Sequence, residues 1–418
     1  MKNVYDIRFE KGLYYILPLK ADSVSGLPYD IVYGHTAIIL YLYYSDTVEN
    51  YYSYIDDIPS GIDIYIISSR QDVLWQVKKH KTENGGKCKE YLLKENTGRD
   101  VSALLVTSKE IVKRYKYVCF LHDKKAHSSE MEKDTQLWIE NLWGNLIGSA
   151  HYINSILELF EKDEKLGVIA PPDPIGDNFY ISLGYGWYGS FGITAKIADR
   201  LKLNSDLDID RPPITIGTAL WFRYDALQKL FNADWNYSDF DDGQLKDTNY
   251  LSYGLERIFA YVAQDAGYDA ATAMTTPYAE KHLNYQQYTT SLIFSEARHF
   301  FPIPTLAGIE CYKRNSVKMI EFAKRNKEFF LYGMGDMGRF CYNLLSKENL
   351  LPSGFIVSTM SVESFFGKLP VYSIDELKEN KNIAIIITVT HSKDKQEIIH
   401  TLMDRKFYNY MAFWDMEK

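Results

Sequence analysis

The sequence predicts an α/β fold in two parts, a larger open-sheet domain followed by a smaller domain of the same class. Three observations carry this. From Ala37 to Ala170, short β-branched and aromatic runs alternate with stretches of helical period, the mark of parallel strands joined by crossover helices in a doubly wound sheet. The 418 residues exceed what one typical core organises. Near Glu328 the alternation restarts with a strand, a glycine turn and a helix.

Residues 1–35 are mixed and punctuated by Gly and Pro, and read as an N-terminal extension packed on the main domain. Ala37–Tyr44 (AIILYLYY) reads as a buried strand, 46–58 as a helix, Ile62–Ile67 as a strand ending in Ser68, Ser69 and Arg70, and 71–80 as a helix. A Gly-Gly turn at 85 and 86 precedes a short strand at Tyr91–Leu93. Asn96, Thr97 and Gly98 then supply turn and cap chemistry for a helix over Val101–Tyr115. Tyr117–Leu121 is a buried strand that empties into His122, Asp123, Lys124 and Lys125.

Residues 134–163 read as helical and Lys165–Ala170 as a strand stopped by Pro171 and Pro172. NFYISLGYGWYGSFGI (178–193), which contains Trp187, alternates aromatics with glycines and suits a lid, a sugar-binding wall or plain tight turns. Pro212–Arg223 reads as a strand entering the core through Gly217, 224–231 as a helix, and Leu251–Ala266 as one amphipathic helix carrying Glu256 and Arg257. Lys313–Lys327 forms a basic helix. The expected division is therefore 1–310 for the main domain, 311–327 for a linker helix and 328–418 for the second domain.

The net charge of −8 argues against a general nucleic-acid binder, which needs basic surface to neutralise phosphates. Cys88, Cys119, Cys311 and Cys341 form no C-x-x-C pair and suit reduced thiols in a cytosolic protein. No segment approaches the ~20 apolar residues a spanning helix requires, so the expected location is the cytosol, with at most peripheral attachment to a membrane face.

Open α/β sheets bind ligands at the carboxyl ends of their strands. Here those ends gather Asp46, Ser68, Ser69, Asp100, His122, Asp123, Lys124 and Lys125 at one rim, with Asn96, Gly98 and Arg99 in the adjoining turn. A phosphoryl leaving group needs cation, dipole or metal stabilisation, and an incoming hydroxyl needs a carboxylate to take its proton. Two arrangements satisfy this: His122 and Asp123 hold Mg²⁺ or Mn²⁺, or Lys124 and Lys125 neutralise a diphosphate without a metal. Glu256 is the leading base, with Asp241 and Asp242 of the acidic group that begins at Asp239 as alternatives. Each has a plainer reading as a solvated charge or a first-turn helix carboxylate.

Gly333-Met-Gly335-Asp-Met-Gly338 follows a strand and opens a helix, the context of a dinucleotide fingerprint in a Rossmann-like unit. The next strand, Gly354–Val357, ends at Ser358 rather than at a ribose-binding acid, so a close-packed structural turn is the competing reading and NAD is not expected. A sugar-nucleotide oxidoreductase centred on this turn is one alternative function. A docking module is another, its basic run of Lys313, Arg314, Lys318, Lys324, Arg325 and Lys327 meeting anionic lipid.

AIILYLYY, ENTGRD, FLHDKK, GTALWFR and GLERIFAYVAQDAGY, in that order, resemble the rhamnan synthesis protein F family of bacterial glycosyltransferases over roughly residues 1 to 310. The resemblance implies a GT-A-like mixed sheet and transfer of a sugar, commonly L-rhamnose from dTDP-rhamnose, to a growing cell-wall polysaccharide on a lipid carrier, alongside other polysaccharide-assembly enzymes. It implies that Asn96, Gly98, Arg99, Asp100, His122, Asp123, Lys124, Lys125 and Ser68 face the donor, and that Gly217, Thr218, Trp221 and Trp187 face the acceptor with Glu256. Inversion by a single displacement is the expected chemistry. FLHDKK stands where the wider GT-A pattern has Asp-x-Asp, a departure that favours lysine over metal; Glu256-Arg257 stands where it often has Glu-Asp, so the customary second acid is absent and the role falls to Glu256 by default.

Overall fold

The computed structural model describes residues 14–20, 29–126, 128–176, 187–205, 207–209, 215–240, 250–297, 306–326, 328–358, 365–366, 369–377 and 382–414. The chain divides into two compact units, Met1–Tyr285 and Gln286–Lys418. Each is an α/β unit built on its own sheet.

The first unit carries strands β1 (Tyr14–Leu17), β2 (Thr36–Tyr41), β3 (Asp63–Ser68), β4 (Glu90–Leu93), β5 (Tyr117–His122), β6 (Leu166–Ala170), β7 (Leu220–Arg223) and β8 (Asp269–Thr275). Their order is β1-β8-β6-β7-β5-β2-β3-β4. All neighbours run parallel except β7, which is antiparallel to both β5 and β6. The sheet is therefore mixed rather than wholly parallel. Reversing β7 has a consequence for the site: its entry, rather than its exit, lies at the carboxyl end of β5, as the Phe120–Leu220 pairing shows.

Both faces of the sheet are covered, so alternate residues of one strand feed different cores and nearly all are apolar. Ile38 and Leu40 enter one core with Cys119, Leu121 and Trp143, while Ala37, Ile39 and Tyr41 enter the other with Val118, Phe120 and Phe222. Cys88, Cys119 and Cys341 are buried free thiols. Among the described residues no helix is long and apolar enough to cross a membrane.

Helices read as continuous from periodicity are interrupted. Residues 99–112 form a short α-turn (Arg99–Ser102), a π-turn (Ala103–Thr107) and a second α-turn (Lys109–Val112). Residues 251–265 break into Leu251–Leu255 and Phe259–Asp265, and Glu256 sits at the break. Of the strand expected over 212–223, residues 212–214 lie outside the described residues, and the described part forms β7 at Leu220–Arg223 after a left-handed Gly217 with φ 100°.

In the second unit, β9 (Phe329–Tyr332), β10 (Gly354–Val357), β11 (Phe365–Phe366), β12 (Leu369–Ser373), β13 (Ala384–Ile387) and β14 (Tyr410–Ala412) are ordered β11-β12-β10-β9-β13-β14, parallel except at β11. The basic helix is Leu306–Arg325 and contributes Tyr312, Met319 and Ala323 to this unit's core. Close packing accounts for two of the fingerprint glycines. Gly333 has φ 116°, a Cβ on Gly338 would stand 2.1 Å from the Gly333 carbonyl oxygen, and the Thr388 hydroxyl donates to the carbonyls of Tyr332 and Gly333 at 3.0 Å each. Helix–strand approach thus accounts for Gly333 and Gly338 but not for Gly335, where a Cβ would meet nothing within 4 Å; at the following strand end Ser358 Oγ lies 3.0 Å from the Tyr332 hydroxyl.

Candidate active site

The site grows from the end of β5. Its last residues are pinned from below: the Trp143 indole donates to the His122 carbonyl at 3.1 Å, and the Tyr51 hydroxyl both accepts from the Lys124 amide at 2.9 Å and donates to the Lys124 carbonyl at 3.0 Å. Tyr51 and Trp143 rest on one another with ring centroids 4.4 Å apart. An aromatic floor therefore fixes the backbone of His122 to Lys124 before any ligand arrives.

The side chains of this segment diverge. The His122 ring is buried, and its Nδ1 lies 3.0 Å from the Asp123 carbonyl oxygen, which only accepts, so Nδ1 carries the proton. Burial pushes the imidazole down to about 4, despite the opposing pull of Asp100, so it is neutral near pH 7. Its Nε2 is then a bare lone pair facing the Asp100 Oδ2 at 3.7 Å. Two acceptors in opposition call for a hydrogen-bond donor between them.

Asp123 turns the other way. Its Oδ2 accepts from the amides of Tyr43 and Tyr44 at 2.8 Å each, tying the chain leaving β2 to the end of β5. Burial pushes its carboxyl up to about 6, and these amides oppose the rise. The expected His122–Asp123 pair does not converge: the partner facing His122 is Asp100, because consecutive residues at a strand end point to opposite sides. Lys125 also leaves the centre, pairing on the surface with Asp46.

Lys124 stays in. Its ammonium packs 4.2 Å over the Trp138 ring and feels both Asp100 and Glu256. Burial lowers its pKa and the two carboxylates oppose the fall. Asp100 is brought to this cation by the turn before it, where Gly98 (φ 70°) and Arg99 (φ 49°) are left-handed in succession. A Cβ on Gly98 would stand 2.7 Å from Phe240, so this position requires glycine on two counts. A left-handed arginine stores strain of the kind found at ligand clamps. Burial alone would raise the Asp100 carboxyl, but His122, Lys124 and Arg99 outweigh it and hold the group down.

Glu256 completes the centre from the break in residues 251–265. Burial and Asp100 raise its carboxyl above the usual range, against the pull of Arg257, Lys124 and Arg99. Arg257 pairs with it at 3.2 Å and donates to the Tyr253 carbonyl at 2.8 Å. The structure thus joins Asp100, His122, Lys124 and Glu256, with Arg99 on the rim.

The other expected positions fall elsewhere. The Ser68 hydroxyl accepts from the Arg70 amide at 3.0 Å and shapes the turn after β3. Asn96 is exposed in the turn that ends at Gly98. Thr218 enters the site at the start of β7, its hydroxyl beside Asp100 but short of hydrogen-bond geometry. Trp221 does not reach an acceptor: it is fully buried in the core and its indole donates to the Leu146 carbonyl at 2.8 Å. Trp187 is likewise buried, stacked on Tyr261, with its indole donating to the Asp208 carbonyl at 3.2 Å. Asp239 closes a capping box with Asn236, and Asp241 and Asp242 lie outside the described residues.

One contributor escapes sequence reasoning. Lys94 is buried, donates to the carbonyls of Glu95 (2.7 Å) and Thr97 (2.9 Å), and sits between the Tyr41 and Tyr237 rings at 5.2 and 5.6 Å. It holds the turn that presents Arg99 and Asp100. Lys94→Met removes one donor from each of those carbonyls, leaving Ser69 on Glu95 at 3.3 Å and Ser102 on Thr97 at 2.5 Å, and is expected to destabilise the protein by about 1 kcal/mol, measured by urea unfolding.

A divalent metal held by His122 and Asp123 is one of the two expected arrangements, and the described residues do not fit one. Asp100 and His122 supply two ligands, Asp123 is turned to backbone amides, and Lys124 places a positive charge beside them. Among the described residues no group of three or more His, Cys, Asp or Glu is arranged to hold a metal ion.

An α/β protein with cations and a raised carboxylate at the strand ends of a mixed sheet presents a candidate site for an anionic ligand. The chain belongs to the rhamnan synthesis protein F family, whose model matches residues 3–268. It is 25% identical over 188 residues to an uncharacterized protein, WxcX, of Xanthomonas campestris pv. campestris strain B100, a match covering 44% of this chain and 25% of that one. The same protein of strain ATCC 33913 matches equally, so the match spans about a quarter of the length of these curated relatives. Among solved structures, a mannosyltransferase of Pyrobaculum calidifontis in complex with GDP-Man and Mn²⁺ aligns at a TM-score of 0.33 and 11% identity over 73% of this chain and 68% of its own. TarS 1–349 of S. aureus aligns at 0.28 and 12% over 63% and 65%. Likeness at these scores extends to no residue of the site.

Proposed function

We propose that the chain is a glycosyltransferase that moves a sugar from a nucleotide donor to a growing cell-wall or capsular polysaccharide on a lipid carrier. The observation that carries this is the convergence of Asp100, His122, Lys124 and Glu256 at the carboxyl end of β5 in a member of a polysaccharide-synthesis family. Lys124 and Arg99 meet the diphosphate. A hydroxyl of the donor sugar gives its one proton to Asp100 or to His122 Nε2, the two acceptors that face one another. The family's description supports rhamnose, and dTDP-L-rhamnose is the donor we infer.

Chemistry follows from the charges. Glu256 takes the proton of the acceptor hydroxyl as its oxygen attacks the anomeric carbon. The bond from that carbon to the diphosphate oxygen breaks, and the electron pair leaves on the diphosphate, where Lys124 and Arg99 hold it. One base on the acceptor side and one displacement give inversion. The acceptor brings the reaction to the membrane face, where the enzyme works as a peripheral protein.

Release of nucleoside diphosphate from dTDP-L-rhamnose, UDP-glucose and GDP-mannose, in the presence of a rhamnan-type acceptor, tests the reading; no release from any of them sinks it. The pH profile adds a second check. Glu256 acts only when deprotonated, and burial raises its pKa, so the acid limb of kcat/KM is expected above the ordinary carboxylate range. Arg257 opposes that rise, so Arg257→Gln is expected to move the limb to higher pH. A limb that stays in place removes Glu256 from the role.

A further inference from the structure

Three hydroxyls in the segments that lead to β7 and to Glu256 are buried and meet no hydrogen-bond partner among the described residues: Thr215, Thr218 and Ser252. Unpaired buried hydroxyls are uncommon because each gives up water and gains nothing in return. Their positions are related. Thr218 lies beside the Asp100 carboxylate, and Thr215 precedes it by three residues in the segment that enters β7. Ser252 stands one helical turn before Glu256, and the Glu256 amide donates to its carbonyl at 2.9 Å. Asp100 and Glu256 act on one another electrostatically, so the two elements that carry Thr218 and Ser252 border one centre.

We propose that Thr218 and Ser252, with Thr215, form the subsite that reads the hydroxyls of the donor sugar. This rests on the glycosyltransferase reading and deepens it. A sugar ring between the diphosphate held by Lys124 and the base Glu256 would pass Asp100 on one side and the residue 251–255 helix on the other. Each of its hydroxyls both donates and accepts, as serine and threonine hydroxyls do, so every unpaired group gains a partner only when the sugar is present. The nucleotide part of the donor gains nothing from them. The subsite therefore sets which sugar is transferred, and it does so by leaving buried polar groups unsatisfied when the wrong sugar enters.

The test separates sugar from nucleotide. Wild type, Thr218→Val, Ser252→Ala and Thr215→Val are titrated calorimetrically with the pairs dTDP and dTDP-L-rhamnose, UDP and UDP-glucose, and GDP and GDP-mannose, and melted without ligand. For the pair that wild type binds, the nucleoside diphosphate affinity is expected to stay within about twofold while the sugar nucleotide weakens about tenfold in Thr218→Val and in Ser252→Ala. The ligand-free melting temperature should hold or rise, since each change removes an unpaired polar group from the interior. Unchanged sugar-nucleotide affinity in both variants overturns the subsite while leaving the glycosyltransferase reading standing. A melting temperature that drops in both overturns it too, by showing that the hydroxyls serve the fold. If wild type binds no member of any pair, the glycosyltransferase reading itself fails and the subsite with it.

Discussion

Glu256→Gln is expected to lower kcat about a thousandfold while leaving donor affinity within a few-fold. General bases contribute roughly 10²–10⁴ to rate, and the amide keeps the shape of the side chain without its ability to take a proton. The expectation follows from where the group sits. Of the described carboxylates at the centre, burial raises Glu256, whereas the cations around Asp100 hold that group down and suit it to a fixed acceptor. Asp123 is committed to the amides of Tyr43 and Tyr44. Steady-state kinetics with the donor saturating checks the rate, and calorimetry with the donor alone checks binding. A variant that keeps more than a tenth of wild-type kcat places the base elsewhere, for which the segment holding Asp241 and Asp242 is the first place to look.

Lys124→Met is expected to lose about 10²–10³ in kcat and to weaken the nucleoside diphosphate as well. It removes a lysine that faces both carboxylates from over the Trp138 ring, while methionine preserves the packing on the indole. Lys125→Met should behave almost as wild type, because that side chain is spent on Asp46 at the surface. The contrast is informative because the two lysines are neighbours in sequence and indistinguishable by composition. Chelator should leave wild-type activity unchanged if Lys124 supplies the charge; loss of activity with EDTA, restored by Mn²⁺, would assign that part to a metal.

What the sequence makes legible is set by locality. The buried strands at 36–41, 63–68 and 117–122 are visible as apolar runs, since a sheet covered on both faces needs apolar residues at every position. β8 is not, because Asp269–Thr275 (DAATAMT) has no β-branched run and is a strand through its pairing with β1 and β6. The reversal of β7 is equally invisible, yet it is what carries Thr218 to the end of β5.

The site shows the same division. Asp100, His122, Lys124 and Glu256 are legible as residue types near strand and helix ends. Which of them meet is not, because His122 and Asp123 diverge at the strand end and the helix carrying Glu256 breaks where its period runs on. Trp221 is a misreading with a signal behind it: in Leu-Trp-Phe-Arg it alternates with Leu220 and Phe222, and a doubly covered sheet buries both sets. Lys94 leaves no signal at all, since a lysine in a charged turn looks the same whether it is solvated or buried against two rings.

The most direct measurement is calorimetric titration of the full chain with dTDP, UDP and GDP, each with EDTA and with Mn²⁺. The site described here predicts heat from at least one of them in EDTA, little changed by Mn²⁺ and lost in Lys124→Met. No heat from any nucleotide in either condition would contradict it.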